Sequence, residues 1–314
     1  MIPIILTVIA ISFFVFIQSV AAYTNYISDK SLSPISEIST RIPFNASLAV
    51  NSTLTKFGSD CPPEFAIYIH GFNRNESEAK EEFNRIQTSL IHNNYRIPLI
   101  GFSWKSNVNW TDAINNTKIN GPLLSQYINS SHATCPSTDI RIIAHSLGAA
   151  VVDDALVNLS SSNWNSKIAS VNLLGAAIDN RRLANNTNLS AAAEDIVDKF
   201  YNLYNPEDDG LKFNQALYRT LNQTLFKNYT SLGLAGAPKE SVHLNYNDTN
   251  VAYEIPPISD ADGDGNVEEC FEEVNPAKVW GDNHCGYIGF RSPLTGILSD
   301  DGAMNIVVRD WMKP

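Results

Sequence analysis

Ile142-Ile143-Ala144-His145-Ser146-Leu147-Gly148-Ala149-Ala150-Val151 is the stretch whose reading decides the fold. Apolar residues run into a small-x-Ser-x-Gly turn and leave it as a series of small residues suited to a closely packed helix. A strand, a tight turn and a helix in that order form a nucleophile elbow. The serine at such a junction is strained, its Oγ is lifted clear of the sheet, and the amide of the next residue, Leu147, faces a developing oxyanion. The flanking positions must be small because the turn admits no bulk, and Ala144 and Gly148 occupy them. Ala144 stands where a first glycine is commoner, and it is only one methyl group larger. The same residues also fit a buried helix whose serine bonds back to a carbonyl. The rest of the chain has to separate the two readings.

Outward from the elbow, short apolar runs alternate with helical patterns. Phe65–Ile69 reads as a strand ending in His70-Gly71-Phe72. Asn75 with Glu78 then forms a capping box ahead of a helix whose apolar face is Phe83, Ile86, Leu90 and Ile91. Ile97–Phe102 is the next strand, followed by a helix around Leu123–Asn129, the elbow strand Asp139–Ala144 and a helix over Leu147–Leu159. Strands at Val171–Leu174 and Phe200–Tyr204 flank a helix at Ala191–Asp198. A helix at Asn214–Leu225, strands at Val242–Leu244 and Lys278–Trp280 and a terminal helix at Met304–Trp311 complete the series. This alternation predicts an α/β fold with a mostly parallel central sheet and helices on both faces, in one domain over residues 42–314.

A serine hydroxyl is a weak nucleophile at neutral pH until a base takes its proton, and the base needs a carboxylate to fix its tautomer. After the strand Phe200–Tyr204 comes Asn205-Pro206-Glu207-Asp208-Asp209-Gly210-Leu211, an acidic turn at a strand's carboxyl end, where sites in open α/β sheets collect. Asp208 is the candidate acid, with Asp209 and Asp179 as alternatives. The candidate base is His284 in Gly281-Asp282-Asn283-His284-Cys285-Gly286-Tyr287, with His243 its rival.

The four segments AIYIHGF, RIIAHSLGAAVV, YNPEDDGL and DNHCGYIGF, in that order, resemble an α/β-hydrolase-fold serine hydrolase of the lipase and esterase type. The resemblance spans Phe65 to Tyr287 and reproduces the family's chain order of nucleophile, acid and histidine in Ser146, Asp208 and His284. It implies that Ser146 is the nucleophile, that His284 is the general base and later general acid, and that Asp208 orients the imidazole. It further implies an oxyanion hole made by the amides of Phe72 and Leu147, with His70 ordering its loop. No cofactor is implied for catalysis. Carboxylic esters are the expected substrates, small-molecule or lipid, although the same elbow serves peptidases and acyltransferases. A catalytically inactive, calcium-stabilised surface-binding module on this scaffold and a structural envelope glycoprotein are the readings from other classes.

Residues 2–22 combine an apolar run, Ile2–Ile17, with the small residues Ser19, Val20, Ala21 and Ala22, and read as a signal peptide or an uncleaved membrane anchor. Residues 23–41 are polar and aperiodic, as in a linker. Twelve Asn-x-Ser/Thr sequons reinforce an exported, glycosylated and therefore extracellular or cell-surface protein. A net charge of −11 without any basic block argues against nucleic acid as a partner.

Four cysteines in an exported chain suggest two disulfides. Cys61 and Cys135 each lie four residues before a strand, so if those strands are parallel neighbours the two sulfurs share one edge of the sheet. Cys270 and Cys285 remain as the second pair. Between acid and base, Asp260, Asp262, Asp264, Asn266 and Glu268 match the first nine positions of an EF-hand-type loop, with Gly265 at position six. Position twelve is Phe271 rather than Glu. The segment therefore reads either as a structural Ca2+ site or as a solvated acidic turn.

Overall fold

The computed structural model describes residues 61–162, 164–221, 228–239, 245–255, 284–291 and 298–313. The segments read as export signal and linker, the calcium-type loop, His243 and the strand expected at Lys278–Trp280 lie outside these residues.

Six strands form one sheet: β1 (Glu64–Ile69), β2 (Leu99–Phe102), β3 (Asp139–His145), β4 (Ser170–Leu174), β5 (Phe200–Tyr204) and β6 (Tyr246–Asn250). Their order across the sheet is β2-β1-β3-β4-β5-β6, and every neighbouring pair is parallel. The chain moves outward from β1 to β2 and then crosses back to lay β3 on the other side of β1. The carboxyl ends of β1 and β3 consequently flank a topological switch point, the place where open α/β sheets bind ligands.

Side-chain alternation along these strands builds a core on each face. Phe65, Ile67 and Ile69 of β1 join Ile140, Ile142 and Ala144 of β3 in one cluster, while Ala66, Tyr68 and Ile143 enter the other. The first face is covered by α2 (Trp110–Thr134), α3 (Gly148–Ser161) and α4 (Asn188–Ile196), and the second by α1 (Glu76–His92) and the terminal helix Met304–Trp311. A near-continuous apolar strand such as β3 is what burial on both faces demands.

Local chemistry sets the element boundaries. Asn75 caps α1 by accepting from the Glu78 amide, and the Glu78 carboxylate accepts from the Asn75 amide in return, as the capping box requires. Helix α2 is far longer than the expected Leu123–Asn129 because Asn109 caps it at the Asp112 amide and the Gly121-Pro122 pair does not break it. Gly121 is a packing residue: a β-carbon there would collide with Asp154 on α3. Helix α5 (Asp209–Leu221) begins five residues earlier than expected, since the Asp208 carboxylate accepts from the Leu211 amide in its first turn. A short helix, α6 (Leu232–Ala235), follows. Edge strand β6, Tyr-Asn-Asp-Thr-Asn, carries no apolar alternation. It is held through Asp248, which accepts from Asn202 Nδ2 at 2.8 Å and from the Ala237 amide at 2.9 Å.

Cys61 and Cys135 form a disulfide with their α-carbons 5.6 Å apart. The pairing of Glu64 with Asp139 puts both cysteines at the amino-terminal edge of β1 and β3, the juxtaposition that the parallel-neighbour argument required. Cys285 is disulfide-bonded as well, and its expected partner Cys270 lies outside the described residues. A two-stranded antiparallel pair, β7 (Phe290–Arg291) with β8 (Leu298–Asp300), precedes the terminal helix, α7 (Met304–Trp311).

Candidate active site

Ser146 follows directly on β3 with φ of +55°, a left-handed conformation that non-glycine residues seldom adopt. Its amide donates to Leu174 O at 2.9 Å and its carbonyl accepts from the Ala177 amide at 3.1 Å, so the neighbouring strand β4 and its following loop hold the strained turn. Gly148 admits the close crossing: a β-carbon there would lie 2.6 Å from Ile69 O and 2.7 Å from His70 O. Gly71 is similarly constrained, since its β-carbon would sit 2.8 Å from Ser146 Cβ and 3.4 Å from Ser146 Oγ. The β1 and β3 termini thus meet backbone to backbone at the switch point.

Ser146 Oγ lies 2.7 Å from His284 Nε2, and His284 Nδ1 lies 2.7 Å from Asp208 Oδ2. A carboxylate can only accept, so the imidazole carries its proton on Nδ1 and offers the Nε2 lone pair to the serine hydroxyl. Asp208 is wholly buried, with its other oxygen taken by the Leu211 amide. Gly210, two residues on, makes room for the base, because a β-carbon there would stand 2.8 Å from His284 Cβ. Tyr287 packs beside the pair on the short 3-10 helix Gly286–Ile288. Burial pushes its hydroxyl pKa well above the ordinary value, and the neighbouring Asp208 carboxylate adds to the shift.

The alternative acids are engaged elsewhere. Asp179 caps the short 3-10 helix Asn180–Leu183 and binds the Arg181 guanidinium, while Asp209 lies on α5 and pairs with Lys212 Nζ at 3.3 Å. The Leu147 and Phe72 amides have no acceptor among the described residues. Leu147 precedes the first residue of α3, and Phe72 follows the glycine packed on Ser146. His70 orders the Phe72 loop: its Nε2 accepts from the Trp104 amide at 3.0 Å, its Nδ1 donates to Gly71 O at 3.0 Å, and its carbonyl accepts from Trp104 Nε1 at 2.8 Å. Burial pushes its pKa down to about 4, so the ring is neutral.

A family model described as "Alpha/beta hydrolase of unknown function (DUF900)" matches residues 47–223. The chain belongs to this family. The match takes in the elbow and the Asp208 turn and ends before His284, which the structure nonetheless brings to Ser146. No curated protein matches the α/β hydrolase chain. Among solved structures, a hormone-sensitive lipase from a metagenome library is 12% identical, with 61% of this chain and 69% of that one covered and a TM-score of 0.35. The mature lipase BlEst2 of Bacillus licheniformis is 12% identical over 62% and 86%, with a TM-score of 0.34. A Trichoderma reesei cutinase, solved with a phosphonate inhibitor, is 18% identical over 56% and 81%, with a TM-score of 0.28.

Sequence reasoning overlooked Gly210 and Gly71, which shape the space around base and nucleophile. Their signal was present: each is a lone glycine beside a residue already singled out, in Asp208-Asp209-Gly210 and His70-Gly71-Phe72. Among the described residues no cluster of three or more His, Cys, Asp or Glu side chains could hold a metal ion, and the calcium-type loop lies outside them.

Proposed function

We propose that this α/β hydrolase is an exported serine hydrolase that cleaves carboxylic esters through an acyl-enzyme. The observation that carries the reading is the unbroken chain Ser146 Oγ, His284 and Asp208, with both links at 2.7 Å. In this scheme Ser146 Oγ attacks the ester carbonyl carbon while His284 Nε2 takes its proton, and Asp208 stabilises the imidazolium. The Leu147 and Phe72 amides receive the negative charge on the tetrahedral oxygen. Collapse breaks the bond to the alcohol oxygen, which leaves with the proton from His284. Water, deprotonated by the same imidazole, then releases the acid and restores the serine. No step uses a cofactor, so a Ca2+ ion held by Asp260, Asp262, Asp264, Asn266 and Glu268 would serve structure alone.

Esters are preferred over peptides because the Ala-His-Ser-x-Gly elbow resembles that of several lipases. The Cys61–Cys135 bridge supports export, since disulfides persist in oxidising compartments. A fluorophosphonate probe should label the wild type at Ser146, and Ser146→Ala should abolish both labelling and hydrolysis of p-nitrophenyl esters. Equal labelling of the two proteins would show that Ser146 is not the nucleophile, and a folded wild type inert to the probe would leave the binding-module reading in its place. An ester panel of graded chain length, run beside peptide and acyl-acceptor controls, distinguishes an esterase from a peptidase or acyltransferase.

A further inference from the structure

His284 lies in the turn before the 3-10 helix Gly286–Ile288 and, among the described residues, belongs to no strand of the main sheet. The segment is tied down by other means. Ser89 Oγ on α1 donates to Ile288 O at 3.3 Å, the Ala303 amide donates to Tyr287 O at 3.1 Å, and the carbonyl of His284 itself meets His145 Nε2 at 2.8 Å. That last contact joins the residue before the nucleophile to the main chain of the base.

A carbonyl oxygen can only accept, so His145 carries its proton on Nε2 and donates it. Its Nδ1 is buried without a hydrogen-bond partner among the described residues and lies 4.0 Å from Glu82 Oε1. Glu82, wholly buried on α1, is held from two sides by the Tyr68 hydroxyl at 2.6 Å and by the Arg74 guanidinium. Burial alone would raise the Glu82 pKa, but Arg74 and Arg85 beside it and the Tyr68 hydroxyl hold its carboxyl well below the usual range. Arg74 reaches on to Cys285 Sγ at 3.4 Å, one residue beyond the base. The base segment is therefore gripped twice: at the His284 carbonyl by His145, and at the Cys285 sulfur by Arg74, which also holds Glu82.

We propose that His145 is a positioning residue for His284, donating a hydrogen bond to its main chain, so that base and nucleophile are held in register from adjoining residues at the end of β3. The role rests on the proposed hydrolase chemistry and acts through His284, not on substrate. Residues adjacent in sequence fix both partners of the proton transfer: Ser146 by its own backbone, His284 through the side chain of His145. The ring stays in the donating, singly protonated form because burial pushes its pKa down to about 3, against the opposing pull of Glu82.

The test compares wild type, His145→Gln and His145→Leu by p-nitrophenyl ester kinetics across pH and by fluorophosphonate labelling rate, all at temperatures below each protein's measured melting point. Gln can place an amide donor near the position of Nε2, whereas Leu cannot donate. In the Leu variant a shift of the imidazole from its near-attack geometry should lower kcat by about 10²-fold with little change in KM. The pH–rate profile of the Leu variant should also differ from that of the wild type, because proton transfer from Ser146 Oγ would occur in an altered pose. Gln should restore most of kcat and the wild-type profile. A Leu variant that is merely less heat-stable, with wild-type kcat, labelling rate and pH profile, would overturn the proposal. So would a Gln variant as impaired as Leu while folded. Failure of the hydrolase reading is distinct, since it would appear in the wild type as absence of labelling.

Discussion

At the scale of single residues, the site depends on missing side chains as much as on present ones. Gly71, Gly148 and Gly210 each stand where a β-carbon would come within 2.8 Å of Ser146, the β1 backbone or His284. Gly210→Ala is the most informative of these, because its added methyl presses on the base and not on a strand. It should displace the imidazole from Ser146 and lower kcat by about 10²-fold while the protein remains folded by circular dichroism. Wild-type kcat in that variant would show that His284 yields without losing its alignment. Ser146 and Asp208, which the structure brings together with His284, were legible because each lies in a turn at the end of an apolar run. The glycines around them were not singled out, since a glycine's sequence does not say whether its missing side chain makes room for a turn, a helix or a catalytic ring.

At the scale of elements, two adjacent parallel strands both end in a buried neutral histidine: His70 after β1 and His145 at the end of β3. Burial lowers their pKa values from 6.5 to about 4 and about 3 respectively. Between those values and 6.5 the unfolded chain binds protons that the folded one refuses. Stability contributed by the two rings is thus complete above the unfolded value and is lost as pH falls, at up to about 1.4 kcal/mol per pH unit for each ring. Asp154, raised to about 6 chiefly by burial, and Asp153, also raised by burial, oppose this over part of the range, because their protonated forms favour the fold as pH falls. The two rings, whose unfolded value of 6.5 lies within the pH 5 to 7 interval, dominate there. Urea midpoints should drop between pH 7 and pH 5, and equal midpoints would contradict the burial of neutral imidazoles. Elements with strong apolar patterns were readable almost to the residue: β5 and α7 fall where the sequence places them. Helix α2 and strand β6 were obscured for opposite reasons. The first is rich in asparagine and contains Gly121-Pro122, with tertiary packing on α3 overriding weak propensity, and the second is held by Asp248 instead of apolar burial.

At the scale of the whole molecule, the sheet has two functionally different ends. Ser146, the Phe72 loop and Asp208 gather where the strands finish, and the Cys61–Cys135 bridge closes the end where β1 and β3 start. The bridge spans a sequence separation of 74 residues, for which the loop-entropy model gives about 4 kcal/mol of stabilisation. Replacing both cysteines by serine should lower the melting temperature and the unfolding free energy by that order, while the proposed esterase activity persists at low temperature. Loss of activity without loss of stability would mean that the two ends are not independent. The strand pattern and the position of the two cysteines before it made this architecture readable in advance. The placement of His284 was readable only from chain order, because among the described residues its segment is held from α1 and the end of β3, distant in sequence from the residue they fix.

The separation of the two ends has a practical consequence for handling the molecule. Asp139, solvent-exposed, begins the strand whose last residue precedes Ser146, and seven residues of β3 put it about 20 Å from the reactive hydroxyl. A surface, dye or carrier coupled there would hang the molecule by its crosslinked base with the reactive rim turned outward. Bulky esters, the proposed substrates, could then reach an immobilised preparation without passing the attachment point.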